Sequence, residues 1–251
     1  MINQNLHRQP VALDRSAHLN TRVKLPVTDW SVAAGLNSMF VAAVEFGDAC
    51  RDFPIVFVRA GTEADGSTPI APVAVFGLSQ GENLYVEGTR WRGAYMPALL
   101  RMYPFAMGRV DEQSFAIVID MAWPGVSQTE GDRLFTETGE VSELTRLVQQ
   151  QLELAETEVQ RTRFVGQKLQ ELNLLREMRF DAKLPDGNTL SVEGFLTVDE
   201  DKLKLLPDAT LIEMQRSGIL GLVHAHLISL GNMRRLAEWR MQTLGMTNPA
   251  P

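Results

Sequence analysis

Three groups of residues have types and spacings from which chemistry could be built. The first is Gly77-Leu78-Ser79-Gln80-Gly81, a literal G-x-S-x-G. In a nucleophile elbow Ser79 would sit on a strained turn between a strand and a helix, activated by a histidine with an acid behind it. The preceding PVAVF suits the strand. The following ENLYVEG lacks a helical period and reads as another strand, so GLSQGEN reads as a hairpin loop. Any catalytic partners would be distant in sequence, with Asp120 or Asp199 as the acid and His224 or His226 as the base. The second group is the pair His224 and His226. On a strand both rings would point to one side and could share a metal. On a helix, two positions apart, they diverge by about 200°, and the surrounding GILGLVHAHLISLG reads as helix. His7 and His18, the other two histidines, give no convincing third ligand. The third is Cys50, the single cysteine, flanked by Arg51. An adjacent arginine can lower a thiol pKa, but one cysteine makes neither an intramolecular disulfide nor a thiolate zinc site.

A different kind of signal comes from GENLYVEGTRWRGAYMPALLRMYPF, residues 81–105. All three tyrosines lie there (Tyr85, Tyr95 and Tyr103), and Gly88 to Arg109 holds four arginines and no acid in a chain of net charge −7. Tyr, Trp, Arg and Met are enriched at interfaces because they join a large apolar area to a polar handle. The residues singled out as contacts are Trp91, Arg92, Tyr95, Arg101 and Phe105, with Asn83 holding the turn. The plain alternative is that the aromatics fill the core and the arginines pair with glutamates.

These residues have to be positioned by elements of two kinds. FPIVFVRA, IAPVAVFGL and LYVEG are rich in β-branched and aromatic residues and predict three strands. Arg92–Tyr103 predicts a short helix, and Phe105–Met121 predicts two strands around a DEQS turn. The segment 29–46 mixes apolar and small residues and supports no assignment. From about 141 to 177 there is no proline, and Leu144, Leu147, Val148, Leu152, Ala155, Val159, Leu169 and Leu172 recur at helical spacing. That predicts one long amphipathic helix with a break near Gly166 or Asn173. Residues 178–199 predict a hairpin turning at Asp186-Gly187. Asp199 would cap a short helix, Pro207 would open another, and 220–244 would be helical with a break at Gly231. Strands first and helices later, without a βαβ rhythm, predict an α+β fold. Its expected boundaries are an N-terminal arm at 1–23, one domain at 24–245 and a tail at 246–251.

Composition excludes several functions. With 45% hydrophobic and 22% charged residues the chain can bury a sizeable core, while its acidic balance opposes nonspecific nucleic-acid binding. No stretch of about 18 apolar residues suggests a membrane span, and no secretory signal is visible. There is no P-loop and no G-x-G-x-x-G. The expectation is a soluble, cytoplasmic protein with no cofactor and no legible catalytic set. Homo-oligomerisation is left open.

The same aromatic stretch resembles the SapC family, in which a G-x-N-L turn, a Y-x-P and an R-x-x-P-F ending recur. Here these are Gly81–Leu84, Tyr95–Pro97 and Arg101–Phe105. GDRLFTETGE, LNLL, DGNTLSVEGFLTVDEDKL and RSGILGLVHAHLISLGNMRRL extend the resemblance over about 53–236. The positions it carries over are Asn83, Leu84, Trp91, Tyr95, Pro97, Arg101, Pro104 and Phe105, none with an established catalytic role. The resemblance implies an association with bacterial surface layers. It also implies an accessory role in uptake or modification, beside flavin-dependent halogenase-like or cupin-like enzymes and TonB-dependent receptors. The expectation is therefore a non-catalytic binding or accessory protein, acting with a protein partner or a small anionic or peptide ligand. A serine hydrolase built on Ser79 and His224, a metal site on His224 and His226, and a surface-layer structural protein are the alternatives.

Overall fold

The alternating β-branched residues of IVFVR and IAPVAV form antiparallel neighbours, with Ile55 facing Ala74 and Arg59 facing Ile70. They lie inside a five-stranded sheet in a computed structural model that describes residues 2–62, 66–109, 115–183, 187 and 189–245. The chain is 35% helical and 25% strand, and among the described residues the strands pair antiparallel, so the α+β class holds. It divides into two compact units. One comprises Met1–Gly35, Val86–Arg92 and Ala98–Thr157; the other comprises Leu36–Tyr85, Gly93–Pro97 and Glu158–Pro251.

In the first unit, Phe105–Arg109 and Phe115–Asp120 form the expected hairpin, with Phe105 facing Ile119 and Arg109 facing Phe115. Its DEQS turn lies outside the described residues. Pro10–Ala12, from the segment expected as an arm, adds a third strand, with Pro10 facing Asp120. Leu6, His7, His18 and Val23 of that segment are buried. Arg22–Val23 pairs with both Val126–Ser127 and Asp132–Arg133. The expected LYVEG strand is reduced to Val86–Glu87, which turns back at once on Arg90–Trp91. The expected helix over Arg92–Tyr103 is confined to Ala98–Arg101. Pro97, with its fixed φ and missing N–H, suits the entry to a helix rather than its middle.

The second unit holds the sheet, in the order Leu175–Lys183, Thr189–Val198, Ile55–Arg59, Ile70–Val75, Ser38–Phe40. Ser38–Phe40 comes from the stretch that supported no assignment. The hairpin turn expected at Asp186 falls outside the described residues. The long helix runs Glu143–Glu171 rather than to 177. Asn173 ends it in the left-handed conformation (φ 50°). The Leu174 N–H reaches back to Leu169 O at 3.0 Å and the Asn173 N–H to Gln170 O at 2.8 Å, a Schellman stop. Gly166 does not break the helix. A Cβ there would lie 2.2 Å from Ile70 O, so glycine lets the helix approach the sheet backbone. Asp199 caps Glu200–Lys204 through its side chain, and Asp208–Arg216, Ile219–Ser229 and Asn232–Thr243 follow.

His226 joins helix to sheet. It is fully buried; Nδ1 lies 2.7 Å from Ile55 O, and Nε2 lies 2.9 Å from Thr197 Oγ1 and 3.1 Å from Val198 N. Nε2 must accept the Val198 N–H, so Nδ1 carries the proton and donates to Ile55. Ser229 Oγ accepts the Ile55 N–H at 2.9 Å. Burial lowers the imidazole pKa to about 4, against a smaller upward pull from Ile55. Between about pH 6.5 and 4 the unfolded chain therefore binds a proton that the native one refuses, and stability is lost as the pH drops through that window. Urea unfolding at pH 7, 6 and 5 should show His226 contributing about 2 kcal/mol of that loss. His226→Gln should be less stable at pH 7 by about 2 kcal/mol and should lose most of this slope. An unchanged slope would show that another group sets it.

Candidate functional site

Asp120 closes the apolar run FAIVI and is fully buried at the end of its strand. Its carboxylate is saturated with donors. Oδ1 accepts the N–H groups of Gln9 at 2.8 Å and Ala122 at 3.2 Å; Oδ2 accepts the Arg8 N–H at 3.2 Å and the Tyr103 hydroxyl at 2.8 Å. Tyr103 is brought there by the reversal after Ala98–Arg101, where Phe105 N–H bonds to Met102 O, and by the Asp120 N–H bond to Pro104 O. The ring of His7 lies 5.6 Å from that of Tyr103, and Trp123 lies edge-on at 6.1 Å. Residues 7–9, 103, 120 and 123 thus meet around one carboxylate.

Each of these groups is held in a single protonation state at neutral pH. Burial pushes the Asp120 carboxyl upward, but the hydrogen bonds from Gln9, Tyr103, Arg8 and Ala122 outweigh it and leave the pKa below the usual value. Burial, followed by the bond to Asp120 and its charge, raises the Tyr103 phenol, with Arg8 pulling the other way. Burial lowers His7 despite the pull of Asn3 and Asp120. The site therefore holds an ionised acid, a neutral phenol and a neutral imidazole.

Above them opens a pocket of about 390 Å³ in the first unit, lined by Arg8, Lys24, Asp29, Tyr103, Asp120 and Trp123 among others. That volume is in the range of small-molecule sites. Lys24 is paired with Glu130. The Asp29 carboxylate accepts the Ser31 N–H at 2.9 Å, and bonding to Ser31 lowers its pKa. The Arg8 guanidinium, exposed at the pocket, makes no hydrogen bond or ion pair among the described residues. The pocket thus offers a cation beside an aromatic wall, a pairing suited to an anionic group on a flat or apolar body.

The residues singled out from sequence lie elsewhere. Trp91 is half-buried on the Arg90–Trp91 strand, Arg92 is half-buried, Arg101 is exposed and Phe105 is buried. In the second unit Asn83 is buried and its Oδ1 accepts the Tyr85 N–H at 2.9 Å. Tyr95 donates its N–H to Asp52 at 2.8 Å and its hydroxyl to Glu45 at 2.8 Å. Arg235 bonds to Asp52 and lies 5.3 Å from the Trp239 ring centre. This is a packed polar network on which Tyr85 also closes, through its hydroxyl to Asp52 O.

Ser79 is half-exposed in the turn after Ile70–Val75, with no helix following. At Gly77 a Cβ would strike Glu82 O at 2.1 Å, so this glycine serves backbone approach in a loop. His226, one of the two proposed bases, has both ring nitrogens engaged with Ile55, Thr197 and Val198. His224 is exposed on the same helix that buries His226, so the two do not present their rings together as metal ligands. No group of three or more potential metal-ligating side chains occurs among the described residues. Cys50 is half-buried and free, its thiol 3.5 Å from Gly47 O.

Compared with known protein families, residues 13–236 match SapC. The chain belongs to the SapC family. No curated protein and no solved structure matches it. Lys24, Tyr103, Asp120 and Trp123 fall inside the SapC match, whereas His7 and Arg8 precede it. Among the described residues no helix is long and apolar enough to cross a membrane. Of the pocket residues, the sequence marks Tyr103 as one of the clustered tyrosines and Asp120 as a nominal acid, but does not mark Arg8, Lys24 or Trp123. The one available signal was an acid closing an apolar run.

Asp120→Asn keeps the shape but removes the charge and turns an acceptor into a donor facing an N–H. Denaturant unfolding should show a loss of about 2–4 kcal/mol, and Tyr103→Phe a smaller loss of about 1 kcal/mol. Equal stability of Asp120→Asn and wild type would mean that the carboxylate does not hold the site together.

Proposed function

We propose that this SapC-family chain is a non-catalytic binding protein that holds a small anionic ligand in the Arg8–Trp123 pocket and acts as an accessory to a protein partner in the cytoplasm. The observation that carries this reading is the unpaired Arg8 guanidinium at a pocket whose other cation, Lys24, is already paired with Glu130. A bound carboxylate or phosphate would meet that cation, and the Trp123 and Tyr103 rings would carry the rest of the ligand. The protonation states support binding over catalysis. General acid–base work needs a group poised near the working pH, and burial and hydrogen bonding move Asp120, Tyr103 and His7 away from it.

Because Arg8 precedes the SapC match while Tyr103, Asp120 and Trp123 lie within it, the family residues would supply the pocket and the N-terminal segment would supply selectivity. The partner would contact Trp91, Arg92 and Arg101 of the first unit, which are not buried; Tyr95, half-buried in the second unit, would be a separate contact. Asn83 and Phe105, which are buried, would act by holding the backbone around them. Family context makes a flavin-dependent halogenase-like or cupin-like enzyme the natural kind of partner.

Calorimetric titration with N-acetyl-tryptophan, which joins a carboxylate to a flat ring, tests the pocket directly. Binding should be measurable, and Arg8→Ala should weaken it about 10- to 100-fold, the worth of one charge-assisted hydrogen-bonded pair. Arg8→Lys should restore part of the loss, since it returns the charge without the planar fork. Affinity indifferent to Arg8, or no heat with this probe and with inorganic phosphate, would remove the pocket from the function.

A further inference from the structure

The Leu175–Lys183 strand is the outermost of the five-stranded sheet, and no described residue pairs with its free side. A nine-residue free edge is a template for another strand. Sheets commonly interrupt such an edge with a bulge on the outer strand. Here the irregularity sits on the inner one. Met178 faces Phe195 and Phe180 faces Val192, so the extra residue belongs to Glu193–Gly194, where Gly194 has φ 87°. The edge strand itself is regular.

Its side chains alternate. Met178, Phe180 and Ala182 are half-buried on one face, while Glu177, Arg179, Asp181 and Lys183 are exposed on the other. The exposed face therefore reads minus, plus, minus, plus about its centre. We infer that a second copy of this chain pairs with this edge antiparallel, about a two-fold axis at Phe180. In that register Arg179 faces the second copy's Asp181 and Glu177 faces its Lys183. On the other face Phe180 meets its own equivalent, and Met178 meets Ala182. Opposite charges directly across a sheet stabilise the pairing and like charges oppose it, and a two-fold interface repeats every pair twice.

The neighbouring registers fail on the same residues. Centring on residue 179 sets Arg179 against itself and Glu177 against Asp181. Centring on 181 sets Asp181 against itself and Arg179 against Lys183. Centring on 178 leaves Glu177 facing Arg179 but sets Leu175 against Asp181 and Arg176 against Phe180. An edge guarded by one sign of charge would repel in every register, whereas among the registers centred on 178 to 181 this one admits one that satisfies both faces. Within one chain Arg179 already contacts Asp181 at 2.7 Å and Glu193 at 3.0 Å, and Glu177 contacts Arg59 at 3.1 Å. All these groups are exposed, so such pairs are worth little and share or exchange partners at low cost.

Sedimentation analysis of the full chain at tens of micromolar should give twice the 28.0 kDa chain mass. Arg179→Asp places two acids opposite each other twice over and should weaken the dimer about tenfold or more. Adding Asp181→Arg to that variant exchanges the charges and should restore wild-type association. These positions are exposed, so folding should be unaffected. A second readout fixes the register. Facing residues of an antiparallel pair have Cα atoms about 4.5–5.5 Å apart, within disulfide reach of about 4.4–6.8 Å. With Cys50→Ser as background, Phe180→Cys should therefore give a covalent dimer on oxidation, and Ala182→Cys should not. A monomer at these concentrations overturns the inference. So does a dimer that is indifferent to Arg179→Asp or does not cross-link through residue 180.

Discussion

Removing a carboxylate from water is tolerable only if its lone pairs are satisfied, and in the first unit that requirement dictates the architecture around Asp120. Four donors are needed, and they come from parts of the chain far apart in sequence. Two are backbone groups of residues 8 and 9, one is the phenol of residue 103, and one is the N–H of residue 122. Pairing of residues 10–12 along the same strand follows from that anchoring. So does the position of Arg8, whose backbone is spent on Asp120 while its guanidinium is left to the pocket. The second unit meets the same physical demand at Asp52 and His226, where buried polar groups fasten loops and a helix to the sheet. There the groups are enclosed by their protein partners; at Asp120 they line a pocket.

Local signals in the sequence found most of the elements. The β-branched runs at 55–59 and 70–75, the apolar pair at 105–109 and 115–120, and the stripe of the long helix each carry their own periodicity. Asp199 as a helix cap was equally legible, since capping is a matter of two or three residues. The stretch 92–103 is helical only at Ala98–Arg101. Its side-chain spacing is helical, but the Tyr95 N–H is taken by Asp52, 43 positions away. A tertiary hydrogen bond of that kind leaves no local trace. The choice between Gly166 and Asn173 as the helix stop could be settled only by knowing which residue faces a neighbouring backbone and which adopts a left-handed turn.

The candidate site was mostly illegible for the same reason. Clustering along the chain pointed to the block 81–105, and three-dimensional clustering took one member of it, Tyr103, and joined it to residues more than 90 positions earlier. A charged residue at the end of an apolar strand is a weak signal alone, because strands often end in a polar turn. It becomes strong only when the carboxylate proves buried. The aromatic and basic residues of the block divide between packing, as at Tyr85 and Phe105, and exposure, as at Arg101.

The way the chain threads its two units has a consequence for how it is made. Each unit is assembled from three separate stretches, and the five residues Gly93–Pro97 belong to the second unit between two stretches of the first. During synthesis the opening strand must wait for residues 118–120 to emerge before it has a partner. Ile55 likewise waits for His226 and Ser229 near the end of the chain. Local hairpins such as 55–75, 105–120 and 175–198 can close as they emerge, but neither unit can be completed until its last stretch has been made. Neither unit corresponds to any continuous fragment, so shuffling or duplication of gene segments could not pass on one without the other.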